Sequence, residues 1–100
     1  MSEQGPALYY VLFHSPGEKW ANGVPFNQQP GVMDHVGYMA GFLESGKLFV
    51  GGPFLDDSGG MMVLSAESQE AAEEIAKADP SVQQGLLTVT VKPWLVAMQQ

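Results

Sequence analysis

The stretch KLFVGGPFLDDSGGMMVLSA, from Lys47 to Ala66, reads as a β-hairpin set between two helices. Lys47 to Phe54 and Met61 to Ala66 are apolar runs of strand length, and Leu55-Asp56-Asp57-Ser58-Gly59-Gly60 between them supplies turn residues. Before the hairpin, Gly31 to Ser45 carries Val32, Val36, Met39 and Leu43 at helical spacing, and Gly46 is a natural stop after the final turn. After it, Ser68 can cap a second helix in which Glu70 favours the N-terminal dipole. Ala72, Ile75 and Ala76 of that helix face inward, and Lys77 sits in its last turn. Outward again lie two strands. Ala7 to His14 has no polar member until His14, the pattern of a strand buried on both faces, whereas Leu86 to Lys92 alternates Leu87, Val89 and Val91 with Thr88, Thr90 and Lys92. Pro80 opens at most one helical turn before Gly85. The order β-α-β-β-α-β is the split βαβ, or ferredoxin-like, arrangement of an α+β protein, with both helices on one face of an antiparallel sheet.

Residues 1–100 are expected to form one domain, without internal repeat or low-complexity tract. A chain this short buries only part of its unfolded surface, and a partner subunit adds to its core. Strand one also offers Leu8, Tyr10 and Leu12 to one side and Tyr9, Val11 and Phe13 to the other. Whichever side meets the helices, an apolar row is left over, so a homodimer pairing sheet on sheet is expected. Trp94-Leu95-Val96-Ala97-Met98 is a further apolar segment without an evident place in a monomer. Ser15 to Pro30 reads as a long irregular loop anchored by Trp20, Val24 and Phe26.

The formal net charge is −7, with four basic residues, so nucleic acid and anionic membrane surfaces are expected to be repelled. No stretch approaches the ~20 apolar residues of a membrane span, and Met1 to Pro6 lacks the basic and apolar regions of a signal peptide. A cytoplasmic protein is expected. The absence of cysteine excludes disulfides, thiolate catalysis and thiolate metal sites.

Four punctuated motifs, Asp34-His35, Gly51-Gly52-Pro53-Phe54, Ala78-Asp79-Pro80 and Lys92-Pro93-Trp94, have an order and spacing that resemble the YciI-like (YCII-related) family. The resemblance runs from Tyr9 to Trp94. It implies a dimeric α+β barrel with an active site centred on a His and an Asp, which fall here on His35 and Asp79. It further implies proton-transfer chemistry of isomerase, lyase or dehydrochlorinase type on a small cyclic or aromatic-derived compound. Chlorohydroxyhydroquinone dehydrochlorination is the activity named within the family, and muconolactone isomerases have a similar barrel. No metal or other cofactor is implied.

On the residues alone, an isolated His35 is more often a core-edge imidazole satisfied by a backbone carbonyl, although Tyr38 and Phe42 on its stripe place it on an aromatic face. Asp79 before Pro80 suits the N-cap of a short turn with Pro at N1, and capping alone explains it. The resemblance adds that one carboxylate oxygen caps while the other orients His35. The amides of Gly51 and Gly52 are candidates for binding a substrate oxygen, with Pro53 at the strand end. Tyr10 and Tyr38 are candidate hydrogen-bond partners for an enolate oxygen, and Trp20 a candidate cover for the pocket. His14, His35 and Asp79 together compose a two-His, one-carboxylate set, but no short-range ligand spacing supports a metal. Asp34 suits the helix dipole, Asp56, Asp57 and Ser58 the hairpin turn, and Met33, Met39, Met61 and Met62 the core. The alternative to an enzyme is a non-catalytic small-ligand-binding or accessory module built on the same pocket.

Overall fold

The computed structural model describes residues 7–100, so the reading of Met1 to Pro6 lies outside the described residues. The chain runs β1 (Ala7–Pro16), α1 (Val32–Ser45), β2 (Leu48–Pro53), β3 (Gly60–Leu64), α2 (Gln69–Lys77), α3 (Pro80–Gln83) and β4 (Leu87–Val96). A short 3-10 turn, Phe26–Gln28, interrupts the loop after β1. The four strands form one antiparallel sheet in the order β2-β3-β1-β4. This is the ferredoxin-like α+β arrangement expected from the element order.

Local chemistry sets the element ends. α1 stops at Gly46, whose φ of 85° is left-handed, and the amides of Gly46 and Lys47 donate to Leu43 and Phe42 carbonyls. α2 starts where Ser68 Oγ accepts from the Ala71 amide at 3.0 Å. At the hairpin, a Cβ on Gly59 would lie 2.0 Å from the His14 carbonyl oxygen, so only glycine lets the turn close against the end of β1.

Tyr10, Leu12 and His14 of β1 face the helices, alongside Leu64 and Met62 of β3 and Val91 and Val89 of β4. Leu12, Leu64, Ala72 and Ala76 are wholly buried there, with Met39 and Leu48 at the side. Each large apolar side chain so buried is worth roughly 1.5–3 kcal/mol relative to exposure. Val32, Leu86 and Leu87 make a smaller cluster joined by Trp20, Phe26 and Val82. The helical stripe proposed for α1 divides: Val32 and Met39 are buried, while Val36 and Leu43 are 43% and 57% exposed.

The tail that lacked an evident place is strand as far as Val96. β4 continues past Lys92, pairing Pro93 with Tyr10, Trp94 with Tyr9 and Leu95 with Leu8. Proline is tolerated because β4 is an edge strand with a neighbour on one side only. The other sheet face carries Tyr9, Val11, Phe13, Val63 and Trp94, and Tyr9 stacks on Phe49 at 5.6 Å. Among the described residues no helix covers it. No helix among them is long and apolar enough to cross a membrane.

Candidate functional site

His35 sits one turn into α1, in phase with the buried Val32 and Met39, so its imidazole points under the sheet and is 3% exposed. Asp79 caps α3 from an extended backbone (φ −60°, ψ 125°), with Pro80 following as first helical residue. Its two carboxylate oxygens divide the work. Oδ1 accepts from the Ser81 amide at 2.9 Å and from Ser81 Oγ at 2.8 Å, and Oδ2 meets His35 Nδ1 at 2.6 Å. Burial pushes the Asp79 carboxyl up, but the hydrogen bonds from His35 and Ser81 outweigh it and hold the carboxyl below its ordinary value. The ionised carboxylate therefore takes the Nδ1 proton as its hydrogen-bond donor, which leaves His35 Nε2 as the unprotonated nitrogen of the neutral ring. No protein group among the described residues is hydrogen-bonded to Nε2.

His14, the last inward-facing residue of β1, completes the cluster. Its ring meets that of His35 edge-on, centroids 4.8 Å apart, and its Nε2 lies 3.7 Å from Asp79 Oδ2. Burial, reinforced by repulsion from His35 and only partly offset by Asp79, lowers its pKa from 6.5 to about 4. It is a neutral imidazole at pH 7, so the contact with Asp79 is not an ion pair. Neither of its ring nitrogens has a hydrogen-bond partner among the described residues. Sequence reading placed His14 at the strand end and weighed it only as a metal ligand with His35 and Asp79. The available signal was its phase, shared with Tyr10 and Leu12, which put an imidazole on the helix side of the strand.

Both imidazoles line a cavity of about 260 Å³ between α1 and the β2–β3 hairpin. Val36, Met39, Ala40 and Leu43 form its helix wall, Leu48, Gly51, Gly52 and Pro53 come from β2, Gly60, Met61 and Met62 from β3, and Phe26 from the loop. The three hairpin residues singled out from sequence, Gly51, Gly52 and Pro53, are thus beside His35. Gly51 leaves room that a side chain would take: a Cβ there would lie 2.2 Å from Met62 Sδ.

The aromatic candidates lie elsewhere. Tyr10 packs in the main core, and Tyr38 donates its hydroxyl to the Ile75 carbonyl at 2.7 Å and borders a separate hollow with Lys47 and Glu74. Trp20 packs in the smaller core cluster, 6.2 Å from Phe26, and it is Phe26 that lines the cavity, its ring edge-on to His35 at 6.4 Å. The loop holding Phe26 is clasped by the buried Gln29. Its side-chain amide donates to the Ala21 and Val24 carbonyls at 2.8 and 2.7 Å and accepts from the Ala21 amide at 2.8 Å. Asp57, besides its place in the hairpin turn, accepts from the Phe26 amide at 3.2 Å.

His14, His35 and Asp79 each offer a donor atom, all within 4.8 Å of one another, and are the residues a metal ion would use. The geometry is that of a hydrogen-bonded pair. Metal bonds of about 2.0–2.2 Å from both His35 Nδ1 and Asp79 Oδ2 would force open their 2.6 Å contact, and Oδ1 is occupied by Ser81.

A four-stranded α+β sheet that holds a buried His–Asp pair against a small apolar cavity defines the class of protein. The chain belongs to the YCII-related domain family, which it matches over residues 9–95. It is 39% identical over 69 residues to "Uncharacterized protein YjpA" of Bacillus subtilis (strain 168), covering 69% of this chain and 80% of that one. Its fold is similar to that of 5-chloro-2-hydroxyhydroquinone dehydrochlorinase (TftG) from Burkholderia phenoliruptrix AC1100, solved in complex with 2,5-dihydroxybenzoquinone. The TM-score is 0.66 at 21% identity, covering 86% of this chain and 92% of that one.

Proposed function

We propose that the protein is a cofactor-independent enzyme in which the His35–Asp79 pair moves a proton on a small cyclic or aromatic-derived compound. The observation that carries this reading is the 2.6 Å bond between His35 Nδ1 and Asp79 Oδ2, with the imidazole lining the cavity. Asp79 fixes the tautomer, so His35 Nε2 takes a proton from the ligand and the carboxylate stabilises the imidazolium that forms. The electron pair left on the ligand moves into its ring. Return of the proton at a ring carbon gives isomerisation, and departure of a leaving group with its bonding electrons gives elimination, as in dehydrochlorination. A volume of about 260 Å³ suits a compound of one six-membered ring with small substituents, since a cavity of ~150 Å³ holds benzene. The dehydrochlorinase of similar fold, solved with a single-ring quinone, supports the same substrate class.

We further propose that a second copy of this chain covers the open sheet face.

Chloride release from 5-chloro-2-hydroxyhydroquinone, together with binding of 2,5-dihydroxybenzoquinone, tests the enzyme reading. Turnover is expected to fall by about 10²–10⁴-fold in His35→Ala while the protein stays folded. A His35→Ala protein with undiminished turnover would overturn it. Quinone binding without turnover of the chlorinated compound would leave the cavity as a ligand-holding module.

A further inference from the structure

His14 takes no part in the proton transfer just described, yet it is the more demanding of the two imidazoles. It is 3% exposed, both its ring nitrogens lack partners among the described residues, and it lines the same cavity as His35. Buried polar groups in folded proteins are nearly always satisfied, so an unpartnered pair of ring nitrogens calls for an acceptor or donor from outside the chain. The nearest carboxylate oxygen, Asp79 Oδ2, is 3.7 Å away and already bonded to His35. Besides the backbone of Gly51, Gly52 and Gly60, the remaining lining is carbon and sulfur of side chains such as Phe26, Met39, Leu43 and Met62, with no Lys, Arg, Asp or Glu.

We infer that His14 is a ligand-binding residue: it donates a ring N–H to the oxygen of a ligand hydroxyl whose own hydrogen is accepted by His35 Nε2. The cavity is on this account selective for uncharged, compact ring compounds that carry a hydroxyl. The inference rests on the reading of the cavity as the ligand site. The two rings meet edge-on with centroids 4.8 Å apart at the wall of one cavity, and a turn of the His14 ring, whose nitrogens are enclosed by neighbouring side chains, brings one oxygen within hydrogen-bond reach of both imidazoles. A hydroxyl meets both demands through a single atom, because it donates and accepts at once. A carbonyl oxygen would satisfy His14 alone and leave His35 Nε2 without a donor. A carboxylate would enter an apolar cavity that offers it no cation, beside an ionised Asp79. The lowered pKa of His14, about 4, keeps one N–H and one lone pair on its ring at pH 7.

Phenol, toluene and benzoate, titrated into the full-length protein at pH 7 with the histidine ring nitrogens observed by ¹⁵N NMR, test this. Phenol is expected to move the ring nitrogens of both His14 and His35. In His14→Phe the phenol-to-toluene affinity ratio is expected to fall about five- to tenfold, the worth of one hydrogen bond, with toluene still bound. His14→Gln, which restores a donor, is expected to recover part of that ratio. Benzoate is expected not to compete. A phenol-to-toluene ratio unchanged in His14→Phe, His14 ring nitrogens that stay put at saturating phenol, or benzoate bound as tightly as phenol would each overturn the inference while leaving the cavity a ligand site. If neither phenol nor toluene binds the wild-type protein, the cavity reading falls with it. Should His14→Phe fail to fold, the wild-type ring shifts and the benzoate competition decide the matter.

Discussion

Asp79 joins three parts of the molecule through one side chain, because it caps α3, ends the link from α2 and holds His35 of α1. The capping half of that role is legible in Asp79-Pro80, since local chemistry determines it. The pairing half joins residues 44 apart in sequence, which local chemistry does not address, and it came from resemblance to a family. Replacing the carboxylate separates the two halves. Asp79→Ala strands His35 Nδ1–H and both Ser81 donors, and is expected to cost about 3 kcal/mol or more in urea unfolding. Asp79→Asn keeps an oxygen for the cap but turns an amide donor toward His35 Nδ1. The ring proton is then driven to Nε2, so turnover is expected to collapse at a clearly smaller stability cost. Equal stability losses in the two variants would mean that the cap contributes nothing.

Acid sensitivity also belongs to single residues here. The folded-state pKa of His14, about 4, lies below its ordinary 6.5, so between these values the unfolded chain binds one proton more than the folded chain. Stability then falls as pH drops through this window, by about 1.4 kcal/mol per pH unit and about 3 kcal/mol in all, with His35 and Asp79 the ionisable groups facing the ring. Asp79, held below its ordinary value, adds a loss only at lower pH, as its folded form titrates. His14→Phe is expected to flatten the pH 4–6.5 part of the stability profile measured by denaturant unfolding. A profile equally steep in the variant would show that His14 is not the group responsible.

At the scale of elements, strong local punctuation transferred well from sequence to structure. The Gly46 stop, the Ser68 cap and the single helical turn after Pro80 all stand where side-chain and backbone chemistry placed them. Two elements depended on tertiary context instead. β4 runs through Pro93, since the ban on proline in a sheet applies to strands paired on both sides, and nothing in Lys92-Pro93-Trp94 tells an edge from a centre. The loop from 17 to 31 shows its apolar anchors in sequence but not its clasp, as Gln29 looks like any surface amide until its three partners are seen. Gln29→Ala leaves the Val24 carbonyl and the Ala21 amide unpaired, while the Ala21 carbonyl keeps the Val24 amide, and a loss of about 2 kcal/mol is expected. Because Phe26 rides on this loop, hydrogen exchange at the Ala21 amide should quicken and ligand affinity should weaken together. A thermally unaltered variant with unchanged exchange would show that the clasp is incidental.

At the scale of the whole molecule, the two faces of the sheet are treated unequally. The helices lie on one side, and on the other Phe49 and Trp94 remain 56% and 44% exposed beside the half-buried Tyr9 and Phe13, with Val11 and Val63 already buried between them. Apolar surface contributes roughly 25 cal/mol per Å² when removed from water, so covering the exposed aromatic rings of two such faces against each other is the apolar term in favour of the proposed pairing. Charge opposes it. Each chain carries −7, and two copies brought together repel through that net charge, although Lys92 lies on the face itself, opposite Val11. Added salt screens that repulsion and leaves the apolar term in place, so the homodimer is expected to tighten as ionic strength rises, the reverse of an interface held by ion pairs. Trp94→Asp puts a charge onto the face without touching the helix side, and it is expected to shift the protein to monomer while the circular dichroism spectrum persists. Light scattering across a salt series decides the point: a wild-type monomer at micromolar concentration, or a dimer that salt dissociates, would assign the open face to something other than a second copy of this chain.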